Sequence, residues 1–355
     1  MREKQTRTET SDTFFPGDCI CARLPPGKRS RNLVINLDGT SNQYGPKNTN
    51  VIELYSHIAV SEHQLKYYNS GIGTSAQPSW TSLSYYIQSV GNKIDLAIAW
   101  NFEKVLLGAY RWLSEHYQPG DRIFLFGTVF DIARGFSRGA FQVRALAGMI
   151  EKVGLPHEGN EEQIPFAFEL YASAYGPERE KAAKHFKKTF SAKGVRVHFI
   201  GVWDTVASIG IFKGKTLPLT DSCGHVCTFR HALALDERRA NFLPQCVAGP
   251  SKKFPENAKE VWFSGSHSDM CSVPLLWMEN EALMAGLHIS RASINWKVQD
   301  LQESKPTVSL WAPWWPLECL PFRWKAHSDS GLLFRAPHWG AGRVIYPGQK
   351  IHASV

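Results

Sequence analysis

Segment 122–153 constrains the fold of this chain more than any other. It begins with the apolar run RIFLF at 122–126, which is typical of a short buried strand, and from residue 137 onward its apolar spacing predicts a helix. Between them stands the pattern GFSRG at 135–139, a serine with a glycine two positions away on each side. A strand, a glycine-flanked serine and a helix in this order predict a tight turn at the end of a sheet.

The residues of this turn indicate a chemical role for Ser137. A serine hydroxyl is a good nucleophile only when a histidine removes its proton, and the turn needs the small neighbours that Gly135 and Gly139 supply. The alternative is a glycine-rich helix N-terminus in which Ser137 is the N-cap. The first interpretation predicts a nucleophile elbow and a serine hydrolase.

Strands and helices alternate along the rest of the chain. Apolar runs at 33–37, 195–202 and 260–263 predict strands, and the periodic segments 93–117 and 275–287 predict helices. This alternation favours a mainly parallel sheet flanked by helices, so we expect an α/β-hydrolase-like fold.

Three regions are expected along the chain. Residues 1–30 are polar and contain the sequence PPG at 25–27 near their end, which predicts a flexible N-terminal tail. Residues 31–300 form the catalytic domain. Residues 301–355, rich in tryptophan and proline, are expected to be an extension packed on the same domain, with one late strand at 342–345.

Chain order and strand ends predict the partners of Ser137. In this fold the nucleophile, the acid and the histidine follow one another in sequence, and Asp204 and His267 each come just after a predicted strand. The competing acids are Asp269 and Asp236, the latter expected to be held by its flanking arginines. The competing histidines are His198 inside a strand, His225 between two cysteines and His231 before an apolar helical run.

Acyl transfer also needs two backbone N–H groups that face the developing oxyanion. Arg138, the residue after the nucleophile, would supply one, and Gly39 or Thr40 after the first predicted strand would supply the other. Asp38 would anchor this loop through hydrogen bonds to its backbone. The alternative is a plain Asp-Gly turn.

Five motifs, taken in order, resemble those of a known family. They are LDGT at 37–40 with NTNV at 48–51, NSGIGT at 69–74, GFSRGA at 135–140, VWDTV at 202–206 and HSD at 267–269. Over roughly residues 31–350 the chain resembles the α/β-hydrolase family that includes the catalytic domain of type VI secretion phospholipase effectors. The resemblance implies that Ser137, Asp204 and His267 form a triad and that a phospholipid or another acyl ester is the substrate.

The chain departs from the family pattern in two places. Seven residues, TVFDIAR at 128–134, stand between Gly127 and the elbow, and they either bulge out or replace residues 123–126 as the strand end. After 267–269 the family continues with valine and several glycines, whereas this chain continues with MCSVPLLW at 270–277. These departures favour a second hypothesis, a catalytically impaired hydrolase fold that serves as a binding or scaffold protein.

Composition bears on partners and location. The net charge of +8 favours encounters with anionic surfaces. Four lysines recur at helical spacing, for which a solvated helix face is the simpler interpretation: Lys181, Lys184, Lys187 and Lys188. No signal peptide and no run long enough to span a membrane are recognised, so we expect a cytoplasmic protein with peripheral contact with an anionic membrane. The expected substrate is a small-molecule or lipid ester, with no nucleic acid partner; the oligomeric state is left open.

Neither a metal nor another cofactor is expected. The seven cysteines are scattered, and the sequence CGHVC at 223–227 has no second ligand pair at zinc-site spacing. A magnesium-dependent phosphatase would need a carboxylate nucleophile two residues before Asp38, where this chain has Asn36. This substitution disfavours the phosphatase hypothesis.

Overall fold

A seven-stranded sheet, parallel at every neighbouring pair, forms the centre of the protein. The computed structural model describes residues 30–39, 48–70, 93–128, 139–173, 176–206, 217–247, 253–270, 272–290, 308–310, 314–319, 322–325 and 333–355. The strands are β1 (Asn32–Leu37), β2 (Gln64–Asn69), β3 (Arg122–Gly127), β4 (Val197–Trp203), β5 (Val226–Ala234), β6 (Ala258–Phe263), β7 (Phe322–Lys325), β8 (Leu333–Ala336) and β9 (Lys350–Ile351). Their order in the sheet is β2-β1-β3-β4-β5-β6-β9, while β7 and β8 form a separate antiparallel pair.

Helices cover both faces of this sheet. They are α1 (Asn50–His57), α2 (Lys93–His116), α3 (Gly139–Val153), α4 (Ile164–Ala172), α5 (Pro177–Phe190), α6 (Val273–Met284) and α7 (Trp315–Glu318). Leu33 and Ile35 of β1 join the core that includes α2 and α3, whereas Val34 joins the core that includes α1 and α6. Successive side chains of a strand point to opposite faces, so an apolar strand fills both cores. The expected α/β-hydrolase-like fold is confirmed.

Sequence predictions of individual elements have mixed outcomes. The strands predicted at 33–37, 122–126, 195–202 and 260–263 and the helices predicted at 93–117, from 137 and at 275–287 are present, with ends shifted by a few residues. The described part of the chain contains no helix long and apolar enough to cross a membrane.

Two element predictions are wrong. The residues after His231 were expected to be helical, but they belong to β5, because a short apolar run does not distinguish a buried strand from a buried helix. The late strand predicted at 342–345 is absent. Lys350–Ile351 instead pairs with β6, where it forms the edge of the sheet.

The end of β3 touches the start of α3. The N–H of Ala140 donates to the carbonyl oxygen of Thr128 at 3.2 Å. A Cβ atom on Gly127 would lie 2.4 Å from the carbonyl oxygen of Gly139, and one on Gly139 would lie 2.3 Å from that of Leu37. These distances leave no room for a side chain, so both positions require glycine.

This contact decides between the two expectations for the inserted residues 128–134. Residues 123–126 remain part of β3, and Gly127 pairs in register with Leu37 of β1. The insertion therefore does not replace the strand end. Residues 129–138 lie outside the described part of the chain.

The C-terminal region is bound to the sheet and to the loop after β5. The indole Nε1 of Trp262 in β6 donates to Oε1 of Gln349 at 2.9 Å. Glu318 is almost fully buried, and its Oε1 accepts the N–H of Ala240 at 2.8 Å. Its Oε2 binds Nδ1 of His338 at 2.9 Å. These contacts connect the C-terminal region with residues that surround the candidate site.

Candidate active site

Asp204 follows β4 directly at the carboxyl edge of the sheet, where α/β sheets bind ligands. Its backbone has a φ of 44°, which is uncommon for a residue other than glycine. Its N–H donates to the carbonyl oxygen of Ala232 at 2.7 Å, and its Oδ1 accepts the N–H of Ala234 at 3.1 Å. Bonds to β5 thus fix both the backbone and the carboxylate of Asp204.

His267 opens a short 3-10 turn, His267–Asp269, after β6. Ser266 and Asp269 cap this turn by binding each other's backbone N–H groups. The N–H of His267 donates to Oε2 of Glu237 at 3.3 Å, and its ring meets the ring of Phe242 edge-on, with the centroids 5.0 Å apart. The imidazole is therefore held by its backbone and by its ring, and it is buried.

Asp204 and His267 are hydrogen bonded to each other through Oδ2 and Nδ1. Burial alone would raise the pKa of Asp204, but the charge of Arg343 and the hydrogen bond from His267 outweigh it and hold this pKa well below its usual range. An ionised Asp204 accepts the Nδ1 proton, so in the neutral ring Nε2 is the nitrogen that can take a proton. Nε2 is buried and has no hydrogen-bond partner among the described residues.

Arg343 also contacts Asp204, and the sequence analysis did not predict it as a site residue. Its Nη1 and Nη2 bind the two carboxylate oxygens of Asp204, and they also donate to the carbonyl oxygens of Ala234 and Phe242. In the sequence Arg343 lies 139 residues after Asp204, inside the segment expected to be a late strand. No local pattern marks it as part of a site.

Asp38 holds the loop after β1. Its Oδ1 accepts the N–H of Gly39 at 2.7 Å, and its Oδ2 accepts the hydroxyls of Thr49 at 2.8 Å and Tyr68 at 3.1 Å. Burial and the nearby charge of Asp38 raise the pKa of Tyr68, so its hydroxyl stays protonated and donates. In this arrangement the N–H of Gly39 is engaged by Asp38, whereas the oxyanion prediction assigned that N–H to substrate.

Part of the predicted site lies outside the described ranges, namely Thr40, Gly135, Ser137 and Arg138. Gly139, the second glycine of the motif, is described and opens α3. Gly127 of β3 pairs with Val202 of β4, two residues before Asp204. The strand that precedes the motif is therefore the neighbour of the strand that carries Asp204.

The competing acids have other roles in the described structure. Asp236 is exposed, and its Oδ2 accepts the N–H of Gly265 at 2.7 Å. The expectation that flanking arginines hold Asp236 is wrong, because Arg239 instead pairs with the buried carboxylate of Glu237 at 2.8 Å. Asp269 accepts the N–H and the hydroxyl of Ser266, at 2.8 and 2.9 Å.

His231 forms a second buried pair, with Glu260. Its Nδ1 lies 3.0 Å from Oε1 of Glu260, and its Nε2 accepts the N–H of Thr205 at 3.0 Å. Burial lowers the pKa of His231 despite Glu260. Burial would raise the pKa of Glu260, but His231 together with the hydrogen bonds from Gln349 and Val247 lowers it. Both ring nitrogens are used, so this pair supports the loop that carries Asp204.

The other two histidines, His198 and His225, lie in different surroundings. Nε2 of His198 binds the carbonyl oxygen of Ala285 at 2.9 Å. Burial lowers the pKa of His225 to about 4, and neither of its ring nitrogens has a partner among the described residues. In the described part of the chain, no group of three histidine, cysteine, aspartate or glutamate side chains could hold a metal ion. The thiol of Cys223, in the sequence considered for a zinc site, lies 3.8 Å from Oδ1 of Asn257.

Comparison with known proteins adds a family match. Residues 31–299 match the family described as T6SS, Phospholipase effector Tle1-like, catalytic domain. The chain is 35% identical over 255 residues to Uncharacterized protein YEL023C of Saccharomyces cerevisiae, a match that covers 68% of this chain and 36% of that protein. The chain thus spans little more than a third of the length of this relative.

Two solved structures are also similar to the chain. One is an uncharacterized protein from Pseudomonas aeruginosa, with 16% identity, a TM-score of 0.38, and coverage of 74% of this chain and 46% of that chain. The other is the Tle1 effector bound to the VgrG spike from the Type 6 secretion system. It has 17% identity, a TM-score of 0.36, and coverage of 68% of this chain and 51% of that chain.

Proposed function

Because the chain belongs to the family of T6SS phospholipase effector Tle1-like catalytic domains, we propose that it cleaves acyl esters of lipids with Ser137 as the nucleophile. One observation carries this proposal. The buried imidazole of His267 is held by ionised Asp204 through Nδ1, and its Nε2 has no partner in the described part of the chain. An acid and a histidine in this arrangement can activate a serine hydroxyl.

The reaction proceeds in two halves. The hydroxyl oxygen of Ser137 attacks the ester carbonyl carbon while Nε2 of His267 takes the hydroxyl proton. The imidazolium, facing ionised Asp204, then gives this proton to the oxygen of the leaving alcohol, and an acyl-serine remains. In the second half, Nε2 takes a proton from water, the resulting hydroxide attacks the acyl carbon, and the carboxylic acid leaves as serine recovers its proton.

The oxyanion of each tetrahedral intermediate needs hydrogen-bond donors. The N–H of Arg138 is one, and the N–H of Thr40 or of Gly39 is the other. Since Gly39 donates to Asp38 in the described structure, Thr40 is the simpler choice, and Gly39 would serve only after leaving Asp38.

The position of Gly139, the second glycine of the motif, supports the proposal. Ser137 precedes Gly139 by two residues, and two residues span at most about 7 Å. Gly139 packs against the carbonyl oxygens of Leu37 and Thr128, at the carboxyl ends of β1 and β3. Gly139 therefore lies at the edge of the sheet at which Asp204 follows β4.

The decisive experiment replaces the nucleophile. Ser137→Ala should abolish hydrolysis of p-nitrophenyl butyrate and of phosphatidylglycerol vesicles, whereas Ser222→Ala, at an exposed serine, should hydrolyse both like the parent. Equal turnover by the parent and by Ser137→Ala would refute the proposal.

A second candidate function follows from the insertion before the elbow. β3 ends at Gly127 and touches Gly139, so residues 128–138 exceed what a tight strand-to-helix turn requires. A serine in so long a connection need not meet the histidine, and the domain would then act as a binding or scaffold protein. A fluorophosphonate probe separates the two candidates, because it labels Ser137 only if the hydroxyl is activated.

The surface charge supports contact with anionic lipid. Lys181, Lys184 and Lys188 of α5 are exposed, and the net charge of the chain is +8. Lys187 instead donates to the carbonyl oxygen of Glu151. Replacing the three exposed lysines by glutamate should reduce sedimentation with phosphatidylglycerol vesicles and leave the low binding to phosphatidylcholine vesicles unchanged. Equal sedimentation of the parent and the variant would exclude this helix as the contact surface.

A further inference from the structure

Arg343 lies outside the segment that matches the family, yet its side chain reaches the centre of the candidate site. The match ends at residue 299, and the side chain of Arg343 is 1% exposed. Its backbone lies near the end of the chain in a segment without regular secondary structure. Burying a guanidinium ion costs a large desolvation free energy unless an oppositely charged partner binds it with good geometry. We therefore expect Arg343 to have a specific partner.

The partner is the carboxylate of Asp204, which Arg343 binds with both terminal nitrogens. Nη1 binds Oδ1, which also accepts the N–H of Ala234, and Nη2 binds Oδ2 at 2.9 Å, which also binds Nδ1 of His267. A two-pronged arginine–carboxylate pair fixes the plane of the carboxylate as well as its position. Oδ2 is thereby held toward the imidazole.

Arg343 also bridges the elements that enclose the imidazole. Its Nη1 donates to the carbonyl oxygen of Ala234 at 2.7 Å, and its Nη2 donates to that of Phe242, whose ring packs against His267. Displacement of the arginine would therefore loosen both the hydrogen bond and the ring contact of His267.

Each carboxylate that contacts His267 has its own arginine. Asp204 at the ring is paired with Arg343, and Glu237 at the backbone N–H is paired with Arg239. An unpaired carboxylate in a buried site would strongly favour the protonated imidazole, which is inactive as a base. Each arginine offsets the negative charge of its own carboxylate.

We propose that Arg343 is a positioning residue of this active site, which orients Asp204 against His267 and keeps the neutral imidazole available as a base. This inference rests on the proposed hydrolase function. It makes the C-terminal region part of the catalytic unit, because the arginine reaches the site from beyond residue 299.

The test uses the full chain with two substitutions of Arg343 and a matched control. Arg343→Lys keeps the charge but not the forked guanidinium group, Arg343→Gln removes the charge, and Arg238→Gln changes an exposed arginine in the loop after β5.

For p-nitrophenyl butyrate, Arg343→Lys should lower kcat about tenfold with little change in KM, because orientation and not substrate binding is lost. Arg343→Gln should shift the acid limb of the kcat/KM profile to higher pH, and Arg238→Gln should behave like the parent.

The outcomes separate this inference from the proposed function. If the parent hydrolyses the ester and Arg343→Lys matches it in kcat and in pH profile, the positioning role is overturned. If Arg343→Gln does not fold, Arg343→Lys decides alone.

If the parent does not hydrolyse the ester, the proposed function fails, and proton NMR still tests the geometry. The downfield Nδ1 proton of His267, identified by its loss in His267→Ala, should shift in Arg343→Lys and stay in place in Arg238→Gln. An unshifted resonance in Arg343→Lys would overturn the inference.

Discussion

The two carboxylate oxygens of Asp204 both bind Arg343 but differ in their other partner, because Oδ1 accepts the backbone N–H of Ala234 whereas Oδ2 binds Nδ1 of His267. The bond to Ala234 belongs to the sheet, and the bond to His267 belongs to the candidate site. An asparagine can keep the bond to Ala234 through its amide oxygen, but its amide nitrogen then faces Nδ1 of His267 and Nη2 of Arg343 as a donor. The substitution therefore tests the chemistry of the pair with limited change in shape.

Asp204→Asn should lower kcat/KM by about 10⁴-fold, because it favours the imidazole tautomer with the proton on the wrong nitrogen. Kinetics with p-nitrophenyl butyrate measure the loss, and circular dichroism checks that the variant is folded. Asp236→Asn, at the exposed competing acid, should retain the activity of the parent. The reverse result, activity lost at Asp236 and kept at Asp204, would reassign the acid.

Thr49→Val should lower both stability and activity. The hydroxyl of Thr49 donates to Asp38 and accepts the N–H of Ile52 as the N-cap of α1. Losing both bonds should lower the free energy of unfolding by about 1–2 kcal/mol, and Asp38 would hold the Gly39 loop less firmly. Urea unfolding and ester kinetics measure the two effects.

Thr49→Ser is the control, because it retains the hydroxyl and should remain close to the parent in stability and activity. If Thr49→Ser lost as much stability and activity as Thr49→Val, the methyl group of Thr49 and not its hydroxyl would be responsible.

Gly139→Ala should destabilise the fold by about 3 kcal/mol, or prevent folding, because its Cβ would overlap the carbonyl oxygen of Leu37. Gly224→Ala is the matched control, since a Cβ there meets no atom within 4 Å. Thermal unfolding of the two variants gives the comparison. A Gly139→Ala protein as stable as Gly224→Ala would show that β1 and α3 do not make this contact in solution.

Glu281 should stabilise the protein in a pH-dependent way. Burial would raise its pKa, but the charge of Arg230 and the hydrogen bond from Lys259 outweigh burial and lower it. A carboxyl group with a lowered pKa in the folded state adds stability above its ordinary pKa of 4.5, and this stability is lost as the pH falls below that value.

At neutral pH, the free energy of unfolding of Glu281→Gln should therefore be about 2 kcal/mol lower than that of the parent. The difference between the two proteins should become smaller under acidic conditions. Urea unfolding at a series of pH values measures it. Glu256→Gln, at an exposed carboxylate beside Lys253, should change stability little at any pH. A difference for Glu281→Gln that stays constant with pH would contradict the ion-pair explanation.

The predicted strands and helices came from local patterns, and local patterns are sufficient where they are long or clearly bounded. Residues 93–117 repeat apolar positions over several turns, and the apolar run at 122–126 follows a clear helix stop, so both elements were predicted in the right place. β5 was missed because eight of its nine residues are buried, which leaves no alternation to distinguish strand from helix. The late strand of the extension was predicted at 342–345 and not at its observed position for a different reason, since β9 has only two residues.

The sequence by itself determined the α/β fold and named Asp204 and His267, because each of these residues lies just beyond the end of a strand that its own apolar residues define. Their roles, and that of Ser137, stay predictions. Only the tertiary structure decided that Asp204 binds His267 and that Arg343, 139 residues further along the chain, binds Asp204. A single buried charge leaves no periodic signal in a sequence, and its partner is settled only when distant segments fold against the same sheet edge.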